Sequence, residues 1–346
     1  MAAQARGSAR RLDQYVLDEV VRTIRAGRRF LVTCHVQPDG DGLGSMLALA
    51  SVLRAVGAEV VTFNPDPVPL SLAFLPGSEA IARRLPRGAK FDASFVCDTA
   101  SRSLVAREFP PPARSGPVVV LDHHAAFEAD LGDIVYRDDR ACATAELVVR
   151  IADALGVSPL PEDAAKAVYA AVVTDTGGFR YSSTTAATLR LGASLLDRGV
   201  DPWEVAYSVF EGWMPARMEL LRRALGTIRV LEGGRLAVMT VTRAMLEKAG
   251  ATDEMVEGLV NYARMLRGVE VAALVWERES ERDARGRVIP VCKVSLRAQA
   301  AMDVSRIAVA LGGGGHRNAA GARLEASPKA VRARVIVEAK KLLEAG

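Results

Sequence analysis

Cys34-His35-Val36-Gln37-Pro38-Asp39-Gly40-Asp41-Gly42-Leu43-Gly44-Ser45 decides how the chain is read. The apolar run Phe30 to Cys34 stops at a histidine. Two carboxylates, Asp39 and Asp41, follow it with a single glycine between them, and a helical pattern, Leu43 to Val56, begins at once. A strand that ends in His and two Asp and leads into a helix N-terminus outlines a metal and phosphate site. Imidazole and carboxylate are metal ligands, and the start of a helix favours anions.

The same alternation continues on both sides of this stretch. Leu12 to Ala26 has helical spacing. Strands are expected at Arg29 to Cys34, Glu59 to Phe63, Phe91 to Cys97 and Pro117 to Leu121, with a short edge strand at Ile134 to Tyr136. A Pro-rich loop fills 65–76, and a short helix is expected around 78–85. Two helices follow, Thr144 to Leu155 and Glu162 to Val173, the second running into Thr174-Asp175-Thr176-Gly177-Gly178. Strands alternating with helices predict an α/β fold with a parallel, doubly wound sheet. Ligands of such sheets collect at the carboxyl ends of the strands. Three of these strands end in His35, in Asp98 and in Asp122-His123-His124, so periodicity alone gathers His and Asp onto one rim.

The pattern is helical from Thr184 to Gly226 and changes after that. Thr227 to Leu231 and Leu236 to Val241 flank Gly233-Gly234, a hairpin signature. Val269 to Trp276 and Val288 to Leu296 flank a polar turn at 281–287. A helix, Val304 to Leu311, ends in four glycines, and a strand, Ala319 to Leu324, precedes a closing helix, Lys329 to Leu343. The expectation is a smaller mixed α/β domain. The division reads as 1–200 for the parallel-sheet domain, 201–226 for a helical linker and 227–346 for the second domain, with a cleft between the domains.

With 346 residues, half of them hydrophobic and a quarter charged, there is ample core for two ordinary domains. A net charge of +4 is a weak pointer to an anionic partner. The four cysteines, at 34, 97, 142 and 292, form no short pair, which disfavours a zinc ribbon or a disulfide framework and suits reduced thiols. No apolar stretch approaches the roughly 20 residues of a membrane span, and no apolar segment follows the basic N-terminus as in a signal peptide. The expectation is a cytoplasmic protein. Gly40-x-Gly42-x-Gly44 is not GxGxxG, and neither a GxxxxGK[ST] loop nor a GxSxG elbow occurs.

Three of the four histidines, His35, His123 and His124, fall on the expected rim, and the fourth, His316, follows the glycine run. Asp39, Asp41, Asp98, Asp122 and Asp175 would crowd the same place. For a single Asp the plain reading is a turn or a cap, as for Asp138 or Asp163, and it suits Asp39 and Asp41 less well, because their spacing across one Gly lets both face one ion pair. Carboxylates this close repel one another, and bound divalent cations remove the problem. Mixed imidazole and carboxylate ligands suit Mn, Fe or Zn better than Mg or Ca. Two such ions about 3.5–4 Å apart clamp both oxygens of a phosphoryl displacement.

Asp122-His123-His124 together with His35-x3-Asp39-x-Asp41-x2-Gly44-Ser45 resembles the DHH phosphoesterase superfamily. Asp98-Thr99 and Thr174-Asp175-Thr176-Gly177-Gly178-Phe179-Arg180-Tyr181 match two further motifs of that family. Gly312-Gly313-Gly314-Gly315-His316-Arg317-Asn318-Ala319-Ala320-Gly321 is similar to the signature of its partner domain, DHHA1. The resemblance spans nearly the whole chain and implies a two-domain DHH/DHHA1 enzyme. Within the superfamily it is nearest to stand-alone bacterial enzymes that degrade very short RNA (nanoRNA) to mononucleotides and dephosphorylate pAp.

The resemblance implies two Mn ions, with Mg, Fe or Co as substitutes. One would be held by His35, Asp39 and Asp98, the other by Asp41, Asp98, His123 and Asp175, with Asp98 bridging. Asp122 would orient an imidazole, His124 would contact the scissile phosphate, and a bridging hydroxide would be the nucleophile. Substrate contacts would come from Arg297, Gly313, Gly314, Gly315, His316 and Arg317. Arg102, four residues after Asp98, is a weaker candidate, since a solvated surface arginine explains it equally well. Ala298 stands where the family often has Ser. Four glycines exceed what a helix C-cap requires, and their exposed N–H groups suit a phosphate. The partners implied are short RNA oligonucleotides and nucleoside bisphosphates, with a homodimer allowed and no membrane. The alternatives are a cyclic-di-AMP or linear-dinucleotide phosphodiesterase and, from another class, a non-catalytic nucleotide-binding module. The full set of expected ligands disfavours the module. A family II-type pyrophosphatase lacks the glycine signature, and a RecJ-type exonuclease would need a further domain.

Overall fold

The computed structural model describes residues 2–124, 127–128, 130–282, 286–299, 302–315 and 317–345, with side chains from residue 13 to residue 344. The chain divides into two compact units, Met1–Gly212 and Trp213–Gly346. That division falls inside 201–226, the segment expected to be a linker.

The first unit runs α1 (Ala2–Ala26), β1 (Arg29–Cys34), α2 (Gly40–Ala55), β2 (Glu59–Phe63), β3 (Ala93–Cys97), α3 (Pro112–Ser115), β4 (Val118–Asp122), β5 (Ile134–Arg137), α4 (Ala145–Leu155), α5 (Glu162–Asp175), α6 (Ala186–Leu196) and α7 (Pro202–Phe210). Its five strands are all parallel, in the order β2-β1-β3-β4-β5. The order reverses between β1 and β3. A doubly wound sheet binds ligands at that switch point, and His35 and Asp98 follow these two strands. Both faces of the sheet are buried, which explains the continuous apolar runs. Phe30, Val32 and Cys34 of β1 and Phe95 and Cys97 of β3 pack with residues of α2, α4 and α5. Leu31 and Val96 point to the other face, beneath Phe91, Ala106 and Leu131.

Long helices cover only one face. The segments joining β2, β3 and β4 are loops and single turns. Only Ser78–Ala80 winds into a 3₁₀ turn where a helix around 78–85 was expected. No proline lies within 78–85, but Pro76 and Pro86 bracket it, and the residue before a proline is kept out of the helical region, which leaves little room for a longer helix.

The approach of α2 to α5 sets up the site. Gly40 and Gly44 lie on one face of α2, one turn apart. A Cβ at Gly44 would stand 2.6 Å from the carbonyl oxygen of Ala167, and one at Gly40 would stand 2.3 Å from the Thr174 hydroxyl. Small residues on both helices, with Ala167 and Ala171 on α5, let the backbones come close. The C-terminus of α5 is thereby carried to the start of α2. The helix continues two residues beyond its expected end, to Asp175.

The second unit runs α8 (Pro215–Leu225), β6 (Arg229–Leu231), β7 (Leu236–Val241), α9 (Arg243–Ala249), α10 (Val260–Arg264), β8 (Val271–Glu277), β9 (Glu281–Arg282), β10 (Val288–Ile289), β11 (Cys292–Ala298), α11 (Ser305–Ala310), β12 (Gly314–Gly315), β13 (Ala319–Leu324) and α12 (Pro328–Ala345). Six strands form a mixed sheet in the order β12-β13-β11-β8-β7-β6. The β6–β7 hairpin forms as expected. β7 and β8 pair in parallel, which requires the crossover through α9 and α10 that the sequence reading did not include. Among the described residues, no helix is long and apolar enough to cross a membrane.

A Gly44→Ala substitution should destabilise the protein by about 1–3 kcal/mol in denaturant unfolding, because its Cβ meets backbone that cannot swing aside. Gly226→Ala, with helical φ and its nearest atom at 3.4 Å, serves as the control and should change stability by less than about 0.5 kcal/mol. Equal stabilities for the two variants would contradict this role of the α2–α5 seam.

Candidate metal centre

Each site residue is held by an element end. Asp39 is the N-cap of α2 and accepts from the Gly42 amide at 3.0 Å. Asp41, in the first turn of α2, is 1% exposed. It accepts from Ser45 Oγ at 2.9 Å and from the amides of Thr144 at 2.6 Å and Ala145 at 3.2 Å, at the start of α4. Three such donors make a buried carboxylate tolerable. Asp98 follows β3 with φ of 52°, in the left-handed region that few residues other than Gly and Asn/Asp adopt. The turn leaves its amide on the Leu121 carbonyl of β4 at 2.8 Å, and Thr144 Oγ1 donates to Asp98 Oδ1 at 3.0 Å. Thr144 is the N-cap of α4, yet its hydroxyl serves Asp98 rather than its own helix.

The histidines are oriented by hydrogen bonds at Nδ1. His35 Nδ1 lies 2.9 Å from the Val36 carbonyl oxygen, and His123 Nδ1 lies 3.2 Å from that of Ala141. Only a donating Nδ1–H satisfies these contacts, so in the neutral ring that a cation would bind, Nε2 carries the lone pair. His35 Nε2 lies 3.4 Å from Asp39 Oδ1 and 3.6 Å from Asp98 Oδ2. His123 Nε2 lies 3.6 Å from both Asp41 Oδ2 and Asp175 Oδ2, and 3.8 Å from Asp98 Oδ1. These spacings are long for hydrogen bonds. They lie at or a few tenths of an ångström above the roughly 3.0–3.5 Å between neighbouring ligands that each stand about 2.1 Å from a common ion, so a small inward shift of the side chains would close them on one. His35, Asp39 and Asp98 form one candidate ligand set, and Asp41, His123 and Asp175 form a second. Asp98 also stands within reach of His123 and His124, so its two oxygens face different sets. The residues present therefore fit two divalent cations.

His124 is held differently. Its Nδ1 and its amide both bond to the fully buried Asp122, at 2.9 and 3.0 Å, and its carbonyl accepts from Arg137 at 2.9 Å. Asp122 therefore orients His124, not the candidate ligand His123.

Electrostatics point the same way. Burial, then the charge of Asp98, pushes the Asp41 carboxyl well above the usual range. Burial likewise raises Asp175 to about 6. Burial opposes the charge on His35, but its bonds to Asp39 and Asp98 outweigh that and push it up to about 11. The bond to Asp122 raises His124 to about 9. Without cations, the site gathers protons to offset its carboxylates.

The other expected residues fall elsewhere. Arg102 is exposed and committed to the loop between β4 and β5, where its guanidinium donates to the Asp130 carbonyl at 2.7 Å. In the second unit, Arg297, the penultimate residue of β11, stands opposite Ala319 of β13, and Gly314 and Gly315 form β12 against the same strand. The structure thus brings Arg297 and the glycine run to one end of that sheet. The Gly313 amide is taken by the Ala308 carbonyl at 2.8 Å and is not open to a phosphate. A Cβ at Gly313 would stand 2.1 Å from the Gly321 carbonyl oxygen, so this glycine is a packing requirement of the β12–β13 pair. Arg317 accepts through its carbonyl from the Val304 amide at 2.9 Å. His316 lies outside the described residues.

Sequence reasoning carried Ser45 only as a motif position without a role, and missed Thr144, Ala145 and Asn64, whose side-chain amide donates to the His35 carbonyl at 2.9 Å. The one available signal was a Thr opening the helix expected at 144–155, and it reads as an ordinary cap.

Residues 29–172 match the family model described as DHH family, N-terminal domain, and residues 233–344 match the DHHA1 domain. The chain is 33% identical over 316 residues to the bifunctional oligoribonuclease and PAP phosphatase NrnA of Thermus thermophilus, covering 89% of this chain and 87% of that one. It is 26% identical over 313 residues to the protein of the same description from Bacillus subtilis, covering 88% and 92%. An exopolyphosphatase-related protein from Bacteroides fragilis has a solved structure with a TM-score of 0.84, over 96% of this chain and 98% of that chain, at 24% identity. That likeness is one of fold.

Thr144→Val keeps the amide bond to Asp41 and removes the hydroxyl bond to Asp98. It should weaken divalent-metal binding about 10–100-fold by calorimetry, and unchanged affinity would contradict the role given to Thr144. A pH test follows from the raised values. His35 is raised from 6.5 to about 11 and Asp175 from 3.8 to about 6, so the metal-free fold binds more protons than the unfolded chain between those limits. Its stability should therefore fall as pH rises. Chelator-treated protein should melt at progressively lower temperature from pH 6 to pH 9, and excess divalent metal should remove that slope, because the ion replaces the protons. A melting temperature independent of both pH and metal would refute the electrostatic account.

Proposed function

Because the chain belongs to the DHH family of metal-dependent phosphoesterases and carries its DHHA1 domain, we propose that it hydrolyses short oligoribonucleotides to mononucleotides and pAp to AMP and phosphate. The observation that carries this reading is the pair of adjacent ligand sets, one containing Asp98 and the other containing His123, whose Nε2 lies 3.8 Å from Asp98 Oδ1, in a chain a third identical to an oligoribonuclease and PAP phosphatase over nearly its whole length. Two Mn ions on these sets would supply Lewis-acid neutralisation of the phosphoryl charge and a water acidic enough to attack at neutral pH.

The protein's own groups divide the remaining work. Asp41 and Asp98 are fixed by Ser45, Thr144 and Ala145, so the ligands need no reorganisation when substrate arrives. His35 and His123 present Nε2 because their Nδ1 protons are held by backbone carbonyls. His124, kept protonated by Asp122, holds a proton at Nε2 for a phosphoryl oxygen or the leaving oxygen. We assign substrate contacts to Arg297, Gly314, Gly315 and His316 of the DHHA1 unit, with Gly313 and Arg317 as neighbours of that loop. The reduced, buried thiols of all four cysteines suit a cytoplasmic enzyme.

The test is a comparison of turnover on pAp, pApA, longer RNA and cyclic di-AMP with Mn present. The expected order places pAp and pApA well ahead of the other two. Preference for cyclic di-AMP would replace the reading with a cyclic-dinucleotide phosphodiesterase, and no turnover of any phosphoester by metal-loaded protein would remove it. Asp98→Ala should lower kcat by at least about a thousandfold, as loss of the shared ligand disables both sets; near-normal turnover would refute the two-metal scheme.

A further inference from the structure

Between the end of β5 and the start of α4, residues 138–144 form neither helix nor strand, yet they serve both candidate ligand sets. The Ala141 carbonyl orients His123, the amides of Thr144 and of the following Ala145 hold Asp41, and the Thr144 hydroxyl holds Asp98. Apart from Asp138, the buried side chains of this segment are those of Ala141, Cys142, Ala143 and Thr144, all small. Packing of so little bulk leaves polar contacts to fix much of its path.

Those contacts converge on Arg150. It lies on α4 one turn after Glu146, so both side chains stand on one face of the helix. Arg150 Nη1 donates to Asp138 Oδ2 at 2.8 Å, and Nη2 donates to Glu146 Oε1 at 2.6 Å. Tyr136 lies beside the same guanidinium. Asp138 Oδ1 accepts from the Arg140 amide at 3.1 Å and from Arg140 Nε at 3.0 Å, and the Asp138 carbonyl accepts from the Ala141 amide at 3.1 Å. Glu146 Oε2 accepts from the Cys142 amide at 3.2 Å. The guanidinium therefore holds the segment at Asp138 directly and at Cys142 through Glu146. Ala141, whose carbonyl faces His123, sits between the two points.

A planar fork engages two carboxylates at once in a fixed geometry, which a lysine ammonium does not reproduce. Asp138 is only 8% exposed, so the pair is shielded more than a surface ion pair. Among the described residues, no hydrogen bond or ion pair of Arg150 reaches a candidate metal ligand, and its influence on the site has to pass through the segment. We propose that Arg150, acting through Asp138 and Glu146, is a positioning residue that sets the segment against His123 and Asp41 and so shapes the second ligand set for its cation. This rests on the reading of the site as the metal centre of a phosphoesterase.

The test titrates Mn by calorimetry into chelator-treated, full-length wild type, Arg150→Met and Arg150→Lys, well below the melting temperature recorded for each. Lys166→Met, which breaks a 2.6 Å ion pair between α5 and α7, is the control for loss of an ion pair elsewhere in the same unit. Wild type should bind two ions. Arg150→Met should weaken one of them roughly tenfold or more and the other by less, and Arg150→Lys should weaken the same ion several-fold, because it keeps the charge without the fork. Lys166→Met should leave both affinities within about twofold of wild type. Unchanged affinities in folded Arg150→Met overturn the proposal, and so does equal weakening in Lys166→Met. If Arg150→Met does not fold, Arg150→Lys decides, and unchanged affinities there overturn it. A wild type that binds two ions, loses one to the Arg150 variants and turns over no phosphoester would uphold the positioning role and remove the phosphoesterase reading, so the two failures are distinct.

Discussion

Mutual repulsion among carboxylates governs this structure. Asp41, Asp98 and Asp122 are almost wholly buried, and Asp39 and Asp175 stand close by. In a low-dielectric setting such a cluster cannot all be ionised without compensation. The fold supplies part of it through backbone amides at the start of α4 and the hydroxyls of Ser45 and Thr144. Protons on the three histidines supply more. Divalent cations would take the place of those protons, with Nε2 of His35 and His123 turned toward the carboxylates that would share them.

Backbone geometry makes this arrangement possible. The reversal of strand order between β1 and β3 opens a gap at the carboxyl edge, and His35 and Asp98 flank it. The left-handed turn at Asp98 aims its carboxylate into that gap, which is the kind of local strain that persists where surrounding contacts over-determine it. The glycine face of α2 admits α5 close enough to bring Asp175 across. The α2–α5 seam therefore positions the candidate ligand Asp175 as well as filling core.

Much of this was legible in the sequence. The apolar runs ending in His35, Asp98 and Asp122-His123-His124 announced both the parallel sheet and its functional rim, since strand period and strand ends are local properties. The pairing of ligand sets required the family resemblance. Thr144, Ala145 and Ala141 were invisible because they act through backbone atoms or through a hydroxyl that looks like a helix cap. The glycines before His316 read as a phosphate cradle, yet Gly313 is required by its contact with Gly321 on β13. The parallel β7–β8 pair was missed because the helices that make its crossover, α9 and α10, are too short to show a clear period.

The central claim is that Asp98 is shared between two cations. The most direct measurement is a crystal structure of the protein grown with Mn, with the ions located by anomalous scattering. The account predicts two peaks about 3.5–4 Å apart, one contacted by His35 and Asp39, the other by Asp41, His123 and Asp175, with an oxygen of Asp98 on each. A single peak, or two peaks with Asp98 bound to only one, would contradict it.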